Sequence, residues 1–271
     1  MLFSTGSELI RTSDRIIISY FLGIEQLGYY GIAIMAVSSL IQIPGAAREV
    51  IEPRLMQNLQ DNSREENLRE YFFKPLVNSA YLLPVLLGPL VILLPWVIPS
   101  LLSRYIPGIR PAQILILGSY FFMMSFPARG IIVANNWQRM ASMVVGLVFF
   151  LNTGLSITLI KLGFGLNGVA IGSSISFFLL FVSLLFFVLS NHNYAMQDWK
   201  PALISLCWPF PIMCISLVLL EYSGKFMTAY GFIAVIIHVM IYLGLIAIAI
   251  NIAKKRLILL KDLTLKNILQ L

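Results

Sequence analysis

Charge is what this sequence has least of. Lys, Arg, Asp and Glu make up 11% of its 271 residues, against about 25% in an ordinary soluble domain, while 59% of the chain is hydrophobic and the mean hydropathy is +0.87. Water cannot be the main solvent of such a polypeptide. Cysteine is scarce as well. Cys207 and Cys214 lie seven residues apart in one apolar segment, so they share a helix face, cannot reach each other and form no disulfide framework. The two histidines are isolated, His192 in a polar stretch and His238 in an apolar one, which gives no basis for a metal site. No glycine-rich loop ends in Gly-Lys-Ser/Thr and no His-Glu-x-x-His occurs. ATP hydrolysis by the phosphate-loop route and zinc-peptidase chemistry are thereby excluded. Residues 1–6 lack the basic stretch that opens a cleavable signal peptide. The reading is of a protein that is not an enzyme and holds no cofactor and no metal.

What is present is long apolar runs. Bounded by Gly, Pro, Asn or charge, they predict spans over residues 2–22, 27–47, 75–98, 112–133, 141–160, 166–189, 202–220 and 227–252. Each approaches or exceeds the roughly 20 residues that a helix needs to cross the hydrocarbon. The expected fold is all-α: a polytopic transmembrane helical bundle of about eight spans over residues 1–253, with an amphipathic cytoplasmic tail over 254–271. Gly23-Ile24-Glu25-Gln26 favours a turn between the first two spans over one long helix. A seven-span alternative moves residues 1–15 to the other side.

The formal net charge of +7 does not point to nucleic acid, because the bases lie between apolar runs rather than along one face. They do set orientation. On the eight-span reading, Arg48, Arg54, Arg64, Arg69, Lys74, Arg129, Arg139, Lys200 and the bases from Lys254 to Lys266 fall on one side, and Arg104, Arg110, Lys161 and Lys225 on the other. The richer side is the cytoplasm, which places both termini inside. Residues 48–74 form the one sizeable soluble connection, within which Ser63 and Glu66 are spaced as a capping box for a short helix. Its reading is a solvated connector in preference to a gate.

Glu8, Arg11, Asp14 and Arg15 stand out in the first span. A charge at a helix centre costs about 2.5–3.5 kcal/mol on insertion scales, so these residues need compensation. Arg11, Asp14 and Arg15 are spaced to meet on one helix face and to pair in part. A two-arginine face suits an anionic ligand, because guanidinium groups hold phosphate oxygens in a fixed planar geometry. The competing reading is an interfacial anchor whose arginines snorkel to headgroups. Arg129 follows Pro127 near the inner end of its span and is a further candidate for the same cavity. The small residues from Gly165 to Ser176 read as helix packing, and Pro209 and Pro211 as a kink.

Residues 13–23, Ser-Asp-Arg-Ile-Ile-Ile-Ser-Tyr-Phe-Leu-Gly, followed by residues 27–33, Leu-Gly-Tyr-Tyr-Gly-Ile-Ala, resemble the seventh and eighth helices of bacterial polysaccharide flippases. These are the O-antigen and capsule repeat-unit exporters of the multidrug/oligosaccharidyl-lipid/polysaccharide superfamily. Gly165-Leu166-Asn167-Gly168-Val169-Ala170-Ile171-Gly172 is similar to a recurring helix start of that family. The resemblance implies a carrier in the bacterial cytoplasmic (inner) membrane that moves a polyprenyl-diphosphate-linked oligosaccharide outward by alternating access. Arg11 and Arg15 would hold the diphosphate or acidic sugars, and Asp14 would orient Arg11. Family members have two lobes, and this chain corresponds to the second. The resemblance therefore implies a separate amino-terminal lobe, a second copy, or a truncated product. Two other functions stay open: a cation-coupled exporter of drugs or small solutes, and a membrane enzyme of polysaccharide assembly such as a repeat-unit polymerase.

Overall fold

Glycine and asparagine turn the backbone at the ends of several apolar runs. The chain, seen in a computed structural model that describes residues 2–58, 68–191, 206–224, 235–248 and 251, is helical almost throughout, with no strand among those residues. Helix α1 (Leu2–Phe21) stops at Gly23, whose φ of 91° favours glycine. The Gly23 amide donates to the Ile18 carbonyl at 3.0 Å, and the Gly23 carbonyl accepts from Leu27 at 3.2 Å as α2 (Ile24–Asn58) begins. The first two runs are thus two helices. A π-helical turn, Arg69–Phe73, leads into α3 (Lys74–Leu101), and a 3-10 turn, Ser103–Gly108, leads into α4 (Ile109–Met124). Helix α5 (Phe126–Ala134) is separated from α6 (Gln138–Leu159) by a turn at Asn135 and Asn136. Asn136 takes a φ of 59°, which asparagine tolerates, and the Trp137 amide closes the turn on the Ile132 carbonyl at 2.9 Å. Gly163 (φ 89°) and Gly165 (φ 53°) separate α6 from α7 (Gly165–Asn191). Helices α8 (Pro209–Gly224) and α9 (Val235–Ile248) complete the described chain.

Among the described residues, four helical segments are long and apolar enough to cross a bilayer: Ile24–Ala46, Tyr71–Leu101, Ser103–Ala134 and Gln138–Asn191. The last has 54 residues and folds back at its two positive-φ glycines, so that α6 and α7 pack side by side. Helices α8 and α9 contain shorter apolar stretches. In the 48–74 connection one expectation needs correction: α2 runs past the expected boundary at residue 47 to Asn58, while the helical lead into α3 through the π-helical turn agrees with the short helix expected there. The expected span over 112–133 falls within the Ser103–Ala134 segment, which turns locally at Ser125, two residues before Pro127. The Ser63 and Glu66 pair and the tail 254–271 lie outside the described residues.

Helix α4 is the centre of the bundle. It packs most extensively on α7 and also on α2 and α3, while α6 packs on α7 and α1 on α6. In lipid the hydrophobic effect does not drive helices together, so close approach and hydrogen bonds do. Gly118 of α4 lies directly against the Ser174 side chain of α7, and Gly172 of α7 directly against Ser156 of α6. A methyl group at either glycine would collide with its neighbour. The small-residue stretch of α7 is therefore the surface that lets both neighbours in.

Helix α3 contains four interior prolines, Pro84, Pro89, Pro95 and Pro99. Each removes an amide that would have served the carbonyl four residues earlier. Two of those carbonyls are served from α4. Gln113 Nε2 donates to the Val91 carbonyl at 3.1 Å, opposite Pro95, and the Tyr120 hydroxyl reaches the Ala80 carbonyl at 3.3 Å, opposite Pro84. Neighbouring side chains thus replace bonds that lipid cannot.

Candidate functional site

Asp14 sits where α1, α2, α6 and α7 meet, with 2% of its surface exposed. Three neutral side chains are among the partners of its carboxylate. The Tyr30 hydroxyl of α2 donates to Oδ2 at 3.0 Å, and Asn152 Nδ2 of α6 donates to Oδ1 at 3.3 Å. The Ser173 hydroxyl of α7 lies 2.8 Å from both oxygens. Having one proton, it serves one oxygen at a time. Asn152 also reaches Ser13 Oγ at 3.1 Å and the Ile10 carbonyl at 3.3 Å, while Ser13 donates to that same carbonyl at 2.8 Å. Hydrogen bonds to a charged group contribute about 1.5–3 kcal/mol each. Two or three of them offset the roughly 2.5–3.5 kcal/mol cost of placing such a charge at a helix centre. Asn152 and Ser173 are fully enclosed, so the network belongs to the interior of the bundle.

Beside the network lies a cavity of about 50 Å³, lined by Thr12, Asp14 and Arg15 of α1, Ile34 and Val37 of α2, Leu115 of α4 and Phe177 of α7. That volume holds a few waters. Arg15 is exposed although Asp14, one residue earlier, is buried, because successive helix positions are rotated by about 100°. The α1 helix therefore presents its carboxylate inward and its guanidinium outward, with both edging the same opening. The expected single face of Arg11, Asp14 and Arg15 becomes two directions for the latter pair. The Arg11 side chain lies outside the described residues, so its pairing with Asp14 does too.

Arg129 of α5 is also buried, at 6% exposure. Its guanidinium carbon lies 4.7 Å from the Phe122 ring centroid and 5.1 Å from that of Phe126, the range of cation–π attraction. It is not among the residues lining the Asp14 cavity. Sequence reasoning missed Tyr30, Asn152 and Ser173 as site residues. The available signal for Asn152 was an amide in an otherwise apolar run. Ser173 was absorbed into the packing stretch, and Tyr30 into the resemblance. Among the described residues no group of three or more His, Cys, Asp or Glu gathers to hold a metal.

Comparison with protein-family models, with curated proteins and with solved structures finds no match for this chain. What the fold and site define is a helical membrane protein with a buried carboxylate network opening on a small polar cavity.

Proposed function

We propose that this chain is a lobe of a carrier for polyprenyl-diphosphate-linked oligosaccharides in a bacterial cytoplasmic membrane. The observation that carries the reading is the cavity on α1. It is polar, edged by the Arg15 guanidinium and Thr12, and set in a bundle whose remaining surface is largely apolar. An exposed arginine on such a wall suits the phosphates or acidic sugars of an anionic lipid-linked substrate. A cavity of about 50 Å³ is far too small for an oligosaccharide, which agrees with a wall that is completed by a first lobe or a second copy. Four span-capable helical segments among the described residues support a polytopic bundle, and the distribution of basic residues supports both termini inside. The described outer connections are short turns, which favours a carrier over a polymerase needing an external catalytic loop. Arg129, expected at the same cavity, does not line it and is left out of this wall.

In proteoliposomes holding the chain with its complementary lobe, Arg15→Ala should abolish outward movement of the lipid-linked oligosaccharide and leave membrane insertion unchanged. Full transport by that variant would falsify the cationic-wall reading.

A cation-coupled exporter is the second reading, and Asp14 favours it. A carboxylate buried in the bundle and edging a small polar cavity is suited to exchanging charge with a small cation. Transport that follows an imposed sodium or proton gradient, and loses that dependence in Asp14→Asn, supports this alternative.

A further inference from the structure

Tyr120 occupies a position that neither reading uses. Its ring is fully buried in α4 and packs on Phe210 of α8 with centroids 5.5 Å apart. Its hydroxyl lies 3.3 Å from the Ala80 carbonyl of α3 and 3.0 Å from the Leu206 carbonyl, just before α8. The first acceptor is opened by a proline: Ala80 is the carbonyl that Pro84 deprives of its helical amide. The second, Leu206, lies three residues before Pro209, at the foot of α8. A phenol has one proton for these two acceptors. At the observed distances Leu206 has the better bond, and a shift of a few tenths of an ångström toward α3 reverses the preference. The carbonyl left behind has no water to turn to inside the bundle.

We propose that Tyr120 is a two-position latch between α3 and the foot of α8: its proton closes either the gap opened by Pro84 or the Leu206 carbonyl, and gaining one releases the other. The remaining contacts fit a pivot on this stretch of α3. Tyr242 of α9 donates to the Pro84 carbonyl at 2.8 Å and lies directly against Gly88, where any side chain would collide with it. Pro84 is thus flanked by tyrosines from two different helices. Gln113 holds the other rescued carbonyl, Val91, from the same helix as Tyr120, so α4 grips α3 on both sides of Pro84. Packed helices with two discrete hydrogen-bond arrangements behave as bistable elements. The coupling stands on main-chain chemistry and holds whatever the protein transports.

Cys207 follows Leu206 and is half-buried, so its thiol reports on the foot of α8. The experiment uses the full chain in detergent with Cys214→Ser, and measures the rate of maleimide labelling at Cys207. Pro84→Ala restores the amide that serves Ala80, commits the Tyr120 proton to Leu206 and should slow labelling about fivefold, the population change one ordinary hydrogen bond controls. Tyr120→Phe should speed labelling by a similar factor, and in the Pro84→Ala background it should return the rate to at least that of the parent. Unchanged labelling in Pro84→Ala, with the helical circular-dichroism signal intact, overturns the latch even if Tyr120→Phe does not fold. Equal slowing by Pro84→Ala with and without Tyr120 also overturns it, since the effect would then not pass through the hydroxyl.

Discussion

Ser173 gives its single hydroxyl proton to a carboxylate more than 150 residues away in sequence, at 2.8 Å. Removing that proton leaves Asp14 with fewer protein donors inside the bundle. Ser173→Ala should therefore lower stability by about 1–3 kcal/mol, seen as a fall in the thermal midpoint in detergent. In an Asp14→Leu background the same substitution should cost much less, because no carboxylate remains to be served. Equal costs in the two backgrounds would show that Ser173 acts only by packing. The residue scale is also where sequence reading reached least far. Asp14 and Arg15 were legible because charge is rare in an apolar run. Asn152, Ser173 and Tyr30 were not, since a helix periodicity relates only near neighbours while these partners are separated by 16 to 159 positions. The burial of Asp14 beside an exposed Arg15 depends on which side of α1 the other helices occupy, which local spacing does not specify.

At the scale of elements, the glycines divide into two kinds. Gly118 and Gly172 stand where helices touch, while Gly146 on α6 has open space around it. Gly172→Val should force α6 and α7 apart and cost about 1–3 kcal/mol or more. Gly146→Val, placed on the same hairpin, should change stability by about 0.5 kcal/mol or less. Denaturation of the two variants side by side in one detergent tests this, and a Gly146→Val loss as large as that of Gly172→Val would contradict the packing described. Turns were the elements most legible from sequence, as Gly23, Asn135–Asn136 and Gly163–Gly165 carry residue types that admit positive φ. Less legible was the local turn at Ser125. A proline inside an apolar run signals either a kink or an interruption, and the choice between them rests on how α5 is seated.

At the scale of the whole molecule, α6 offers a ruler. Its 22 residues span about 33 Å, the thickness of the hydrocarbon core, with the Asn136 turn at one end and Lys161 at the other. With both native cysteines replaced by serine, a thiol placed by Lys161→Cys should react with an impermeant reagent added outside cells, and one placed by Asn136→Cys should react only after permeabilisation. The reverse pattern would invert the orientation, and equal external labelling would mean that α6 does not cross. Fold class was legible at this scale because composition alone dictates the solvent. The number of crossings was less so, since α1 carries charge and hydropathy alone does not decide its depth.

The four prolines of α3 also bear on how the chain is made. Synthesis delivers α3 before α4, so at first the Ala80 and Val91 carbonyls have neither Tyr120 nor Gln113 to answer them. A lone α3 entering lipid would strand polar main-chain atoms among acyl chains. Entry of α3 together with α4 would bring these acceptors and their donors into the bilayer at once, and spare the main chain that cost.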